Sequence, residues 1–317
     1  MTDRVLVTRH LLPGGLDPLF AAGLDVVQRD DDTTFTTPEL AVAAREVDAI
    51  VCALTDRIDA EVLHAGAGRL RVVGNVAVGH DNIDVATAAE LGIAVCNTPS
   101  VLDETTADLA FLLLLAAARR ASDAEADLRQ GRWTGFGIAN FLGTDVHDST
   151  LGLVGYGRIG RAVARRASGF DMRVLHHTRR DTGEQGWVGD LDELLASVDA
   201  VSLHVPLTEE TRGMIDARRL ALMRPHAVLV NTARGPIVDE VALADALERG
   251  AIFGAGIDVY EREPEVHPRL LAAPHAVLLP HVGSATEQTR RRMAQLACEG
   301  IVAVLAGERP PNLVSPV

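Results

Sequence analysis

Three side chains of different chemical type each follow a run that reads as a β-strand. Arg234 follows Ala227–Asn231, Glu263 follows Gly254–Asp258, and His281 follows Ala276–Leu279. In an open α/β sheet, ligands bind beyond the carboxyl ends of the strands. This placement therefore predicts all three residues at one edge of one sheet. Their chemistry is coherent there. A guanidinium can grip a 2-oxo carboxylate and polarise its carbonyl. An imidazolium can donate a proton as hydride arrives. A carboxylate beside the ring orients it and favours its protonated form. Singly, each residue fits an ordinary surface loop; together they point to catalysis.

Hydride chemistry needs a nucleotide cofactor, and a cradle for one lies upstream. The strand-like run Leu151–Val154 enters Gly155-x-Gly157-x-x-Gly160, and a helix is expected over Ile159–Ser168, with Gly169 as its cap. The first glycine suits a tight turn, the second a close approach of backbone to a pyrophosphate, and the third the packing of helix on strand. The helix N-terminus offers unpaired N–H groups to phosphate. The end of the next strand separates the two nicotinamide cofactors, because an acid there binds ribose hydroxyls and repels a 2′-phosphate. Thr178 occupies that place, followed by Arg179, Arg180 and Asp181. A hydroxyl and two guanidiniums suit a phosphate, so the expectation is NADPH (NADP preferred), with NAD possible.

The surrounding elements fit α/β architecture. A first domain is expected to hold strands Val5–Thr8, Ala49–Ala53, Val72–Val73 and Ala94–Cys96, with helices over Pro38–Val47, Asp59–Ala65 and Val85–Leu91. A long helix over about Glu104–Leu128 is expected to cross between domains. Six strands from Leu151 to Leu279 suit a doubly wound parallel sheet. A last helix near Glu287–Ala306 returns to the first domain. The expected organisation is a substrate-binding domain, residues 1–99 and 286–317, with a dinucleotide-binding domain, residues 100–285, inserted in it. Both are Rossmann-like or flavodoxin-like.

Composition narrows the function. The chain has 317 residues, is 47% hydrophobic with 3% aromatics, and carries a net charge of −14. Its cores must be built from Ala, Val, Leu and Ile, which suits buried parallel strands. The negative charge argues against nucleic acid. All 30 basic residues are Arg, which excludes a lysine Schiff base and a Walker lysine. Cys52, Cys96 and Cys298 are few and far apart, suggesting no metal site and a reducing, cytoplasmic setting. The apolar run Leu109–Ala118 is too short to span a bilayer, so no membrane association is expected.

The chain resembles the D-isomer-specific 2-hydroxyacid dehydrogenase family over nearly its whole length. The likeness is carried by Val78-Gly-His-Asp-Asn-Ile-Asp84, Asn97-Thr-Pro99, Thr106-Ala-Asp-Leu-Ala110, the glycine turn, Val205-Pro-Leu-Thr208, Asn231-Thr-Ala-Arg-Gly235, Gly256-Ile-Asp-Val259, Glu263-Pro264 and Pro280-His-Val-Gly283. Within the family, Asn75–Asp84 and Phe141-Leu-Gly-Thr144 are most similar to the glyoxylate/hydroxypyruvate reductases. The resemblance implies Arg234, Glu263 and His281 as the catalytic trio, with His281 the proton donor in reduction. It implies that backbone N–H groups of Val78 and Gly79 hold the substrate carboxylate, and that Leu54 lines the pocket. It implies cofactor contacts from Thr106, Gly155, Tyr156, Gly157, Arg158, Ile159, Gly160, Val205, Pro206, Thr211, Thr232, Ala233, Arg234, Asp258, His281 and Gly283, with Asp258 on the nicotinamide carboxamide. Homodimers through the cofactor domain are also implied. Where such reductases often carry Trp, this chain has Asn140. The partner is a small 2-oxo or 2-hydroxy acid. Open alternatives are a phosphoglycerate-type, phosphite or formate dehydrogenase and, from another class, a nucleotide-sensing corepressor without turnover.

Overall fold

The computed structural model describes residues 2–314. The chain divides into two compact units, one holding the chain up to Leu102 and again from Ser284, the other Asp103–Gly283. Both are parallel sheets covered by helices.

The first unit contains β1 (Arg4–Val7), β2 (Asp25–Gln28), β3 (Ala49–Cys52), β4 (Val72–Asn75) and β5 (Ala94–Cys96), in the order β2-β1-β3-β4-β5. Every pair is parallel, with Val5 opposite Ala49 and Ile50 opposite Val73. Strands β3 to β5 are buried throughout, as continuous apolar runs under helices should be. One face packs Leu40, Leu63 and Ile93 on Ile50 and Val73; the other packs Cys298 and Ile301 of the helix Glu287–Leu305 on Val5 and Val51. That helix lies against β4 because Gly74 has no side chain: a Cβ there would meet Ile301 Cδ1 at 2.8 Å. Strand β2 and the short helix Asp17–Ala21 are not among the sequence expectations. The strand lies at the sheet edge, half solvated, so its run Asp-Val-Val-Gln lacks the buried-strand signal.

The second unit contains β6 (Thr150–Val154), β7 (Arg173–His177), β8 (Ala200–Leu203), β9 (Val228–Asn231), β10 (Gly254–Ile257) and β11 (Ala276–Leu278), in the order β11-β10-β9-β8-β6-β7. All pairs are parallel. Beyond β7 the chain adds one rung of a further strand. His176 N–H donates to Gly186 O at 2.8 Å, and Val188 N–H donates to His176 O at 2.8 Å. Counting that rung as a third strand gives the dinucleotide-fold order 3-2-1-4-5-6, with β11 added as a seventh strand beyond β10. The switch point falls between β6 and β8, where the chain leaves in opposite directions.

Two helix expectations are corrected. The single helix over Glu104–Leu128 is two, Asp103–Ala118 and Ala121–Arg129. Arg120 between them takes φ 54°, and Thr144 N–H captures the carbonyl of Ala118 at 2.9 Å. The longer piece does not cross between units. It belongs to the second, its apolar residues packed with Leu151, Val163 and Val230. The helix after the glycine turn, Arg158–Ala167, runs into a 3-10 turn, Ser168–Phe170. Asp171, at φ 54°, makes the left-handed stop there instead of Gly169.

Candidate active site

The carboxyl edge of the six-stranded sheet gathers the charged groups. His281 follows β11, and its Nδ1 lies 2.7 Å from Glu263 Oε2. Glu263 follows β10; its other oxygen accepts the N–H of Tyr260 at 3.0 Å. Burial pushes the Glu263 carboxyl up, but the hydrogen bond and charge of His281, the Tyr260 N–H and the Arg234 charge outweigh it. The result lies below the ordinary glutamate value. Glu263 is thereby held as the ionised partner of the ring.

Two further acids hold this geometry. Asp258, buried at the end of β10, accepts the N–H groups of Val282 and Gly283 at 2.8 Å each. Its own carbonyl accepts His281 N–H at 2.8 Å. His281 is thus clamped in the left-handed region, at φ 54°, a backbone state that side chains rarely adopt and that clusters at functional sites. Burial raises the Asp258 carboxyl against the pull of those two N–H groups. Glu240 is also buried and accepts Glu261 N–H at 2.6 Å and His267 N–H at 3.1 Å. It closes the loop that carries Glu263. Nothing in the sequence marks Glu240, which reads as a first-turn helix acid.

Arg234 leaves β9 in extended backbone. Asn231, buried at the strand end, donates to Arg234 O at 2.9 Å and accepts Ala233 N–H at 3.0 Å. These two bonds fold the Asn-Thr-Ala-Arg turn and fix where the guanidinium starts. Beside it, Thr232 Oγ1 is buried and has no hydrogen-bond partner among the described residues, a polar group left for a ligand to satisfy.

The glycine turn fits a dinucleotide. Gly155 takes φ +96°, and a Cβ there would meet His204 O at 2.6 Å. A Cβ at Gly160 would meet Gly155 O at 2.3 Å, so helix and turn touch directly. At Gly157 nothing lies within 4 Å of the Cβ position, which leaves the helix start open. Gly157 caps the helix without a side-chain bond, so the first-turn N–H groups face outward unsatisfied. Tyr156 stacks on His176 at 3.9 Å, and Arg158 pairs with Asp103 at 3.1 Å. Thr211 accepts Thr208 N–H and donates to Pro206 O, each at 2.7 Å, tying the turn that follows Val205. Thr106 Oγ1 donates to Gly283 O at 3.3 Å.

After β7, Thr178 Oγ1 donates to Arg180 O at 2.6 Å. Arg179 and Arg180 are exposed, and among the described residues neither forms an ion pair. Asp181 turns to its own loop, accepting Gly183 N–H at 2.8 Å. In the first unit, Leu54 lines an open cavity of about 530 Å³ with Asp81 and Asn82. Val78 and Gly79 follow β4 and are partly exposed. Asp84 caps the helix Val85–Glu90 by accepting Thr87 N–H at 3.0 Å, a structural part.

A dinucleotide turn and an arginine, glutamate and paired histidine on one sheet edge suit hydride transfer to a carboxylate-bearing substrate. That defines the class as nicotinamide-dependent 2-hydroxyacid dehydrogenases. The pattern for the NAD binding domain of the D-isomer specific 2-hydroxyacid dehydrogenases matches residues 111–283, and the chain belongs to that family. It is similar to the glyoxylate reductase of Thermococcus onnurineus, 46% identical over 99% of this chain and 96% of the relative. A crystal structure of a Thermus thermophilus protein superposes with a TM-score of 0.92 at 46% identity, covering 98% of this chain and 99% of that one. The NADPH-dependent glyoxylate/hydroxypyruvate reductase of Sinorhizobium meliloti, solved with NADP and malonate, matches at TM-score 0.88 and 35% identity over 99% and 97%.

Proposed function

We propose that this enzyme reduces a small 2-oxo acid, glyoxylate or hydroxypyruvate in kind, to the D-2-hydroxy acid, with NADPH preferred over NADH. The single observation that carries the reaction is the 2.7 Å pairing of His281 Nδ1 with an ionised Glu263. With Nδ1 engaged, the ring proton leaves from Nε2 to the oxygen of the former 2-oxo group. Arg234 grips the carboxylate and polarises the carbonyl, and the N–H groups of Val78 and Gly79 are a second proposed hold on a carboxylate. When bound, the reduced nicotinamide supplies the hydride. Gly155–Gly160, Thr106, Val205, Pro206, Thr211, Thr232, Ala233 and Gly283 would hold that cofactor, and Asp258 orients the histidine turn beside it. The exposed Arg179 and Arg180, which form no ion pair among the described residues, support the NADPH assignment.

A homodimer is supported by one exposed apolar arm. Trp133, Phe136, Ile138 and Leu142 are exposed on the segment after Ala121–Arg129, with Phe136 and Ile138 near 90%. A second copy is the natural cover for such an arm. Among the described residues no helix is long and apolar enough to cross a membrane. Three buried free thiols suit the cytoplasm.

The test is turnover with NADPH and NADH across glyoxylate, hydroxypyruvate, pyruvate and bulkier 2-oxo acids. Efficient use of the small acids with NADPH is expected. Tight cofactor binding without turnover on any of them would instead mark a nucleotide sensor.

A further inference from the structure

We infer that Asn97 and Asn75 are positioning residues of the Val78–Gly79 loop, Asn97 aiming the Gly79 N–H and Asn75 anchoring the peptide that follows it. This rests on the reading that those N–H groups hold the substrate carboxylate. After β4, three consecutive carbonyls are each taken by a donor. Thr98 N–H donates to Ala77 O at 2.9 Å, Asn97 Nδ2 to Val78 O at 2.8 Å, and Asn75 Nδ2 to Gly79 O at 2.9 Å.

A trans peptide group is planar, with its C=O and N–H pointing in opposite directions. Pinning Ala77 O therefore turns the N–H of Val78 away from the donors. Pinning Val78 O does the same for the N–H of Gly79. Among the described residues neither N–H has a hydrogen-bond partner. Two N–H groups in succession form a concavity that suits an anion.

Asn75 fixes the next peptide, Gly79–His80, and so anchors the far end of the pair. It is fully buried, and Cys52 Sγ donates to its Oδ1 at 3.5 Å. Its Nδ2 also reaches Asn82 Oδ1 at 3.1 Å. The amide orientation is set by its surroundings, because the carbonyl of Gly79 can only accept. Asn82 in turn donates to Asp56 O at 3.0 Å and Ala53 O at 3.2 Å, which ties in the loop bearing Leu54.

The test is Asn75→Asp, which keeps the shape and removes both donors, with Asn97→Ala as a second variant at a partly exposed site. The expected result is a KM for glyoxylate raised about ten-fold or more, and a Ki for oxamate raised equally, since a buried carbonyl loses its partner and the loop reorients. The Kd for NADPH should not change. A purely structural role would lower the active fraction and leave KM and Ki alone. Unchanged KM in both variants, with oxamate seen on the Val78 and Gly79 N–H groups in the wild-type crystal, overturns the proposal by itself. Oxamate carboxylate seen elsewhere overturns the underlying reading and this proposal with it.

Discussion

The two parallel sheets present chemistry at their carboxyl ends in opposite ways. Around Val78 and Gly79 in the first unit, the working groups are neutral amides. Asn75, Asn82 and Asn97 act on backbone carbonyls, and beside them the N–H groups of Val78 and Gly79 have no hydrogen-bond partner among the described residues. At the edge of the second unit the working groups are ionised or titratable: Arg234, Glu263, His281 and the Asp258 that clamps the histidine turn. The first arrangement presents backbone dipoles held by amide side chains. The second moves a proton, so it needs a base and an acid held in register. The two sheet edges are thus built from different side-chain types.

The sharpest way to break this contrast is His281→Ala. Turnover measured by NADPH oxidation should fall by on the order of 10²–10⁴, the range for a lost general acid, with NADPH affinity changed far less. A near-normal rate would mean that another group delivers the proton. Next comes Arg179→Asp in the second unit, where only the cofactor contact should respond. Its kcat/KM with NADPH should fall about ten- to a hundred-fold more than with NADH, as expected for losing a charge-assisted bond to phosphate. Equal losses with the two cofactors would remove Arg179 from the assignment.

The smallest effect concerns stability. Burial lowers the pKa of His204, whose Nε2 meets Ser202 Oγ at 2.9 Å, to about 4. Between its ordinary value of 6.5 and about 4, the unfolded chain binds a proton that the folded one refuses. Stability must therefore fall as pH drops through that window. His204→Gln should reduce the loss of Tm between pH 7 and pH 5. An unchanged acid slope would show that His204 does not carry it.

Much of the second unit was legible because buried parallel strands leave continuous apolar runs, and the trio stands directly after three of them. The glycine turn was legible from its spacing, and at Gly155 and Gly160 the glycine answers a contact that a Cβ would block. What escaped was set by packing rather than pattern. The solvated edge strand Asp25–Gln28 has no apolar run to find. The break at Arg120 depends on Thr144 reaching Ala118 O from a distant segment. Glu240 looks like a surface helix acid until the Glu263 loop closes over it. Asn75 and Asn97 carry no signal of their own in the sequence, because their use depends on which carbonyls the fold brings to them.

The left-handed backbone at His281 has a consequence for selection. Considered as backbone alone, that position would be easier for glycine than for any residue with a side chain, by roughly 1 kcal/mol. Drift toward stability would accordingly favour the smallest residue there, and what opposes it is the imidazole. A chain of this fold that had ceased to turn over substrate would be free to relax at this one residue. A glycine in place of His281 would then be the trace of a lost reaction on an otherwise intact protein.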